Sequence, residues 1–271
     1  MLTERVLGPG AGHGPATVSS WVGGAFDDPR GAELSDVLDP ATSSTIARLA
    51  EAGETGVGRA VAAAERAAPA WRELPARERA ALVQRLAARI AEQADRLALL
   101  DSLDTGNPLS AMRADLDKGV RSLSDAAGLA LEVKGEVFPL PGLHYTQREP
   151  WGVVGRMITF NHPAMFACAR LGSALVAGNT VVLKPSELAS LSTLAIAELT
   201  SGLLPDGVVN VVVGGPATGS ALVAHPGVLR ISFTGSTATA LRSQAAAAAR
   251  GRIKTLSFVL GGKHPIALFP D

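Results

Sequence analysis

The chain has 271 residues, enough for one large domain or two modest ones around a buried core. Its 25 basic and 25 acidic residues cancel, so charge gives no reason to expect nucleic acid or an anionic membrane as a partner. Hydrophobic residues make up 47% and aromatic residues 4%, which favours an α/β protein over a disordered one.

Signals for secretion and membrane insertion are missing from the sequence. Cys168 is the single cysteine, which excludes an internal disulfide, and the first residues hold no apolar run of signal-peptide length. No uncharged apolar stretch reaches the roughly 18 residues of a membrane span. We therefore predict a soluble, cytoplasmic protein, with a disordered, glycine- and proline-rich tail over residues 1–20.

The first half of the chain carries helical periodicity. Apolar side chains recur at helical spacing in 57–71 and again, at greater length, in 76–106, where Gly106 and Pro108 provide the stop. A third helix is predicted over 109–131. Residues 33–136 thus read as a helical segment, and 137–149, with prolines at its bends, as an extended arm.

The second half, from residue 150 to 271, alternates short β-branched runs with alanine- and leucine-rich stretches. The runs are "WGVVGRMITF", "NTVVLKP", "GVVNVVVGG", "VLRISFTG" and "IKTLSFVLGG", and the stretches span 163–177, 187–203, 216–224 and 236–250. This alternation predicts an α/β fold with a Rossmann-like, doubly wound parallel sheet. Ligands bind such sheets at the carboxyl ends of the strands.

Polar residues stand at those predicted strand ends. Asn161 follows the first run, where an asparagine is often only a helix cap. Lys184 and Glu187 close the second run. A lysine there needs a partner, and an acid after a Rossmann strand commonly binds ribose, but a surface ion pair is the alternative.

Glycine turns, the cysteine and the histidines are weaker signals. "GGPATG" (214–219) and "TGSTA" (234–238) could let a phosphate approach, yet neither is a P-loop or a G-x-G-x-x-G fingerprint, and tight turns use glycine for backbone reasons alone. Cys168 falls inside a predicted helix and reads as a small hydrophobe. The scattered histidines predict no metal site.

Taken together, "REPWGVVGRMITFNHP", "AGNTVVLKPSE", "GVVNVVVGGPATGSALVAHP", "ISFTGST" and "VLGGKHP" resemble the aldehyde dehydrogenase superfamily. The helical half of the chain resembles the same superfamily through the stretch "LDTGNPLSAMRAD". The resemblance covers roughly 33–271. It implies that 33–136 and 150–271 form the coenzyme domain and that 137–149 is a bridging arm for oligomerisation.

The resemblance also implies a set of site residues. Lys184 and Glu187 would bind the adenosine ribose of NAD, with NADP as a less compatible alternative because an acid repels its 2′-phosphate. Asn161 would hold the oxyanion. The other implied cofactor-binding residues are Ile158, Thr159, Phe160, Gly215, Gly219, Phe233, Gly235, Ser236, Leu260 and Gly261.

The family chemistry needs two groups that the motifs of this chain do not supply. In the family a cysteine thiolate attacks the aldehyde, hydride passes to the coenzyme, and a glutamate base assists hydrolysis. That glutamate precedes Leu-Gly-Gly-Lys, where this chain has Val259, and Cys168 matches the nucleophile neither in motif nor in order.

The resemblance therefore implies a truncated oxidoreductase of this family, one that forms a carboxylate or an acyl thioester from an aldehyde with NAD(P). It would be the coenzyme-binding half, inactive alone, and would meet a small aldehyde only when a catalytic domain is supplied in trans. A complementing chain or a homo-oligomer is the implied partner. The alternatives are a non-enzymatic NAD(P)-binding module and a degraded gene remnant.

Overall fold

A computed structural model describes residues 2–7, 14–263 and 265–269. The helices are α1 (Leu2–Leu7), α2 (Gly53–Glu73), α3 (Ala76–Glu92), α4 (Ala94–Thr105), α5 (Leu109–Gly128), α6 (Pro163–Val176), α7 (Leu191–Glu198), α8 (Pro216–Ala224) and α9 (Thr237–Ala248). The strands are β1 (Ala16–Val18), β2 (Trp21–Val22), β3 (Ala25–Phe26), β4 (Leu34–Leu38), β5 (Thr45–Ala50), β6 (Val137–Phe138), β7 (His144–Tyr145), β8 (Val153–Met157), β9 (Thr180–Lys184), β10 (Val209–Val211), β11 (Val228–Gly235) and β12 (Thr255–Leu260).

The main sheet has seven strands in the order β12-β11-β8-β9-β10-β2-β3. The strands from β12 to β10 pair in parallel, and β2 and β3 extend the sheet in antiparallel fashion. From the central β8 the chain winds outward through β9 and β10, then returns to β11 on the other side. This change of direction is a topological switch point, and it confirms the predicted doubly wound α/β fold.

Strand β9 shows how the sheet acquires a core on both faces. Val181 and Leu183 join a buried cluster with α3, α5, α6 and α7, whereas Val182 joins a second cluster with α2, α8 and α9. Successive side chains of a strand point to opposite faces, so a continuous apolar run suits a strand covered on both sides. The helical first half and the α/β second half therefore share their cores.

Residues 137–149 contain a two-stranded hairpin, β6–β7, that pairs with no other strand of the described chain. Its apolar side chains Val137 and Leu143 are exposed. An extended hairpin with exposed apolar residues suits an arm, and its part in oligomerisation stays a prediction. Across the described residues, no helix has the length and apolar character needed to cross a membrane.

The predicted disordered tail over 1–20 is wrong for the part that the structure describes. Residues 2–7 form α1, and β1 pairs in parallel with β5. The backbone N–H of Leu2 also donates to Glu198, 196 positions along the chain. These partners are distant in sequence, so local glycine and proline content gave no sign of them. Met1 and residues 8–13 lie outside the described residues.

The helical segment predicted over 33–136 also needs correction. It begins with β4 and β5, which form a three-stranded sheet with β1. The single helix predicted over 76–106 is two helices, because Gln93 leaves the helical conformation with φ −104° and ψ 13°. The predicted helix over 187–203 is confined to α7, which spans residues 191–198. Apolar periodicity continued through these breaks, so it could not reveal them.

Candidate functional site

A cleft of about 260 Å³ opens at the carboxyl ends of β8, β9 and β11, beside the amino ends of α8 and α9. Its size lies slightly below the roughly 300 Å³ at which small-molecule pockets begin, which suits a groove that holds part of an extended ligand. The cleft brings together most of the predicted cofactor-binding residues: Ile158, Thr159, Phe160, Lys184, Glu187, Gly219, Phe233, Gly235 and Ser236.

A larger cavity of about 570 Å³ lies at the opposite edge of the sheet. Trp151, Gly178 and Gly227, which contribute to its lining, stand just before β8, β9 and β11. That edge holds the amino ends of the strands, and none of the predicted site residues reaches it. The carboxyl-end cleft is therefore the better candidate, because doubly wound sheets bind ligands there.

Lys184 is a buried cation at the end of β9. Its side chain is 8% exposed, and its Nζ donates to the carbonyl of Pro185 at 2.9 Å and lies 3.5 Å from Glu187 Oε2. Burial lowers the pKa of Lys184, and the carboxylate of Glu187 opposes that shift. The pair is thus not a simple surface ion pair. Glu187 itself is 43% exposed, so its oxygens can still accept hydrogen bonds from a ligand.

Two glycines shape the walls of this cleft. A Cβ built on Gly219 would lie 3.5 Å from Cδ of Lys184, so the bare backbone packs along the lysine stem. A Cβ on Gly235 would lie 2.5 Å from Cζ of Phe233, a distance that real Cβ atoms do not tolerate. A side chain at 235 would therefore require the ring of Phe233 to move, and that ring also meets Phe258 edge-on.

The amino end of α9 faces the cleft through Ser236. Its Oγ accepts the backbone N–H of Thr239 at 3.2 Å, which makes Ser236 the N-cap residue. The remaining free N–H groups and the dipole of this 12-residue helix favour a negatively charged group nearby.

Gly215, Leu260 and Gly261 do not line the cleft. The N–H of Gly215 instead donates to the carboxylate of Glu51 at 2.9 and 3.0 Å. Thr218 donates its hydroxyl to the same carboxylate at 2.6 Å, so Glu51 already places a carboxyl group of the protein itself at the amino end of α8. Leu260 ends β12 at the sheet edge, and Gly261 follows it in an exposed position.

Asn161 is exposed beside the cleft and is not the cap of α6, because the N-cap residue is His162. Its Oδ1 accepts the hydroxyl proton of Thr159 at 2.6 Å, and its backbone carbonyl accepts from Asn107 Nδ2 at 3.1 Å. With Oδ1 engaged in this way, Nδ2 is the part of the amide left to donate. Thr159 thus contacts Asn161 as well as lining the cleft.

The turn after Asn161 is held by carboxylates. His162 Nδ1 lies 2.5 Å from Asp115 Oδ2, and Lys118 Nζ lies 3.0 Å from Asp115 Oδ1. Burial would raise the pKa of Asp115, but hydrogen bonds from Lys118 and His162 outweigh it, so that pKa is lowered. Asp101 accepts the N–H of Ala164 at 3.1 Å. These contacts fix the backbone that carries Asn161.

Cys168 and Val259 do not provide a nucleophile or a base. The thiol of Cys168 is fully buried on α6, and burial raises its pKa to about 12, so the thiolate that attacks carbonyls is not formed near neutral pH. This confirms its prediction as a packing residue. Val259 lies half-exposed on β12, and its hydrocarbon side chain cannot accept a proton. Among the described residues, no cluster of histidine, cysteine and acidic side chains could hold a metal ion.

Sequence reasoning missed several residues that line the cleft, above all Thr239, Arg242 and Ser243. They stand at i, i+3 and i+4 on α9 and therefore share one helix face. In a helix otherwise rich in alanine, that polar spacing was the signal that could have identified them.

A doubly wound sheet with a polar cleft at its switch point defines an α/β ligand-binding protein. The sequence model of the aldehyde dehydrogenase family matches residues 26–271, and the chain belongs to that family.

Individual relatives agree with this assignment. Aldehyde dehydrogenase tropH from Talaromyces stipitatus is 43% identical over 244 residues, which cover 87% of this chain and 46% of the relative. PnpE, known from Pseudomonas sp. WBC-3, has been solved with nicotinamide adenine dinucleotide; that structure is 43% identical, with a TM-score of 0.87 over 91% of this chain and 51% of its own. The NAD⁺ complex of aldehyde dehydrogenase from Bacillus cereus is 36% identical. Its TM-score is 0.87, over 92% of this chain and 52% of the Bacillus chain. The chain thus spans about half the length of these relatives.

Proposed function

We propose that this chain binds NAD in the carboxyl-end cleft and supplies the coenzyme-binding half of an NAD-dependent aldehyde dehydrogenase. The observation that carries the proposal is the ion pair between buried Lys184, at the end of β9, and the more exposed Glu187, in a cleft that also meets the amino end of α9. The NAD complexes of two relatives support it.

The residues present fit this coenzyme. The ammonium of Lys184 and the carboxylate of Glu187 offer one donor and one acceptor for the vicinal hydroxyls of a ribose. The amino end of α9 suits the phosphates, and Phe233 offers an apolar wall. An acidic group at 187 repels a 2′-phosphate, so we expect NAD to bind more tightly than NADP.

Held by Lys184, Glu187 and the amino end of α9, NAD would supply the hydride acceptor for oxidation of an aldehyde to a carboxylate or an acyl thioester. The part of this chain is to bind the coenzyme and to direct Asn161 Nδ2 toward the oxygen on which negative charge develops. The single cysteine is buried and Val259 replaces the base, so we expect no aldehyde oxidation by this chain alone.

A second candidate is a non-enzymatic NAD(P)-binding module, favoured by the presence of the cleft together with Val259 at the position of the base. The two can be separated by adding the catalytic half of a relative as a second polypeptide. Formation of NADH from an aldehyde would support the split enzyme. Because Val259 replaces the base, we expect hydrolysis of the thioester to be roughly a hundredfold slower than in an enzyme that has the glutamate. Tight coenzyme binding with no turnover in any mixture would favour the module.

Calorimetric titration with NAD⁺ and NADP⁺ tests the proposed site. Wild type should bind NAD⁺ at one site, and Lys184→Ala should weaken binding about tenfold or more, because a charge-assisted hydrogen bond is lost. Glu187→Gln should narrow the preference for NAD⁺ over NADP⁺. Lys134→Ala, on an exposed ion pair with Glu132, is the matched control. A folded wild-type chain that binds neither coenzyme would refute the proposal.

A further inference from the structure

Arg242 is an exposed residue on the α9 wall of the cleft. Its Nη2 donates to Thr239 Oγ1 at 2.9 Å, and Thr239 Oγ1 lies 3.0 Å from Ser236 Oγ. These three side chains form a continuous polar row from the N-cap into the second turn of the helix. The guanidinium is therefore held at the amino end of α9 by a residue of the same helix.

The charge of Arg242 is not balanced by a protein carboxylate. Within the described part of the chain, Arg242 forms no ion pair, whereas Arg250, at the other end of the same region, pairs with Glu54. The charged residues that line the cleft are Lys184, Glu187 and Arg242, and the first two pair with each other. The lining of the cleft thus has one net positive charge, carried by Arg242 on α9, although the chain as a whole has no net charge.

The free donors of this guanidinium point to an anionic ligand. A guanidinium carries five N–H donors in a planar fork, and the bond to Thr239 uses one of them. Charge-assisted bonds from such a fork to phosphate oxygens are among the stronger polar contacts in proteins. The neighbouring hydroxyls and the N–H groups at the amino end of the helix are further hydrogen-bond donors, and they also favour an anion.

We propose that Arg242 binds the diphosphate of the dinucleotide, an inference that rests on the proposed coenzyme site. The diphosphate is preferred to a 2′-phosphate because of the sheet order β11-β8-β9. The Lys184–Glu187 pair, assigned to the adenosine ribose, ends β9, whereas α9 follows β11 on the other side of β8. A diphosphate at α9 and a ribose at β9 let one extended ligand cross the switch point.

The experiment compares four probes by calorimetry: adenosine, ADP-ribose, NAD⁺ and NADP⁺. Arg242→Met should weaken the binding of ADP-ribose and NAD⁺ by roughly tenfold to a hundredfold, which is the range for hydrogen bonds to charged groups. The affinity for adenosine should stay unchanged. Arg242→Lys, which keeps the charge, should recover part of the loss. Arg121→Met, on the exposed side of α5, is the matched control and should bind all four probes like wild type.

Each contrary result overturns a defined statement. Equal binding of ADP-ribose by wild type and Arg242→Met refutes the role of Arg242 while the coenzyme site stands. An equal loss for adenosine assigns Arg242 to the nucleoside, and a loss confined to NADP⁺ assigns it to the 2′-phosphate; either refutes the diphosphate contact. A wild-type chain that binds none of the probes refutes the coenzyme site itself and this inference with it.

Discussion

Asp104 makes the stability of this fold depend on pH in a direction opposite to that of most carboxylates. It lies buried near the end of α4, where one oxygen accepts the N–H of Leu191 at 3.0 Å and the other has no partner among the described residues. Burial raises the pKa of Asp104 to about 7, from an ordinary 3.8, and the nearby Asp101 adds to the shift. At neutral pH the folded chain therefore holds a carboxyl group close to its titration midpoint.

The sign and size of the effect follow from proton linkage. Because the folded-state pKa is raised, the folded chain binds the extra proton between pH 3.8 and about 7, and its stability falls as the pH rises through that window. At about 1.36 kcal/mol per pKa unit, the full difference corresponds to an upper limit of about 4 kcal/mol. Such a term is a large fraction of the roughly 5–15 kcal/mol by which proteins are stable.

Urea unfolding of wild type and Asp104→Asn at pH 5 and pH 8 tests this reasoning. Asparagine cannot ionise and can still accept the N–H of Leu191, so the variant should lose less stability between the two pH values. The remaining loss is expected from Asp101, because burial raises the pKa of Asp101 to about 6. Asp125→Asn, an exposed carboxylate on α5, is the control and should keep the wild-type dependence. If wild type is equally stable at both pH values, or if Asp104→Asn shows the same slope, the buried carboxyl group does not titrate as described.

Two further predictions concern the walls of the site, and a third concerns α2. Thr159→Val removes the hydroxyl bound to Oδ1 of Asn161, so the Asn161 side-chain NH₂ signals should shift and exchange faster in NMR spectra; unchanged signals would contradict the hydrogen bond, and Thr159→Ser should preserve it. Gly235→Ala should displace the adjacent aromatic ring and destabilise the fold by about 1–3 kcal/mol, with weaker NAD⁺ binding. Gly58→Ala, with open space in α2, should instead stabilise by about 0.5–1 kcal/mol in thermal unfolding.

The sequence was most informative where structure depends on local pattern. The β-branched runs located β8 to β12, and the parallel topology then placed Lys184 and Glu187 at one edge without any knowledge of their distance. Gly215 shows the limit of this reasoning. Its glycine-rich turn was identified, but the carboxylate of Glu51 that occupies its N–H comes from a loop 164 positions earlier.

The same limit explains the missed amino-terminal strands and the missed arginine. Trp21 belongs to a two-residue strand whose place in the sheet depends on Val211, and no periodicity can be read from so short a run. Arg242 lies on a helix that was predicted, but only the folded cleft shows that its guanidinium lacks an acidic partner. Both features depend on which residues, distant in sequence, come together in the folded chain.

The edge formed by β2 and β3 has a consequence for how the chain is made. Trp21 pairs with Val211, Gly23 donates to Asn210 Oδ1, and Val213 donates to Ser20 Oγ, so these contacts join residues nearly two hundred positions apart. During synthesis the amino-terminal segment emerges first but has no strand to join until β10 has left the ribosome. Its apolar residues remain without these partners while roughly 190 further residues are made, an interval in which chaperones protect chains of high contact order from aggregation.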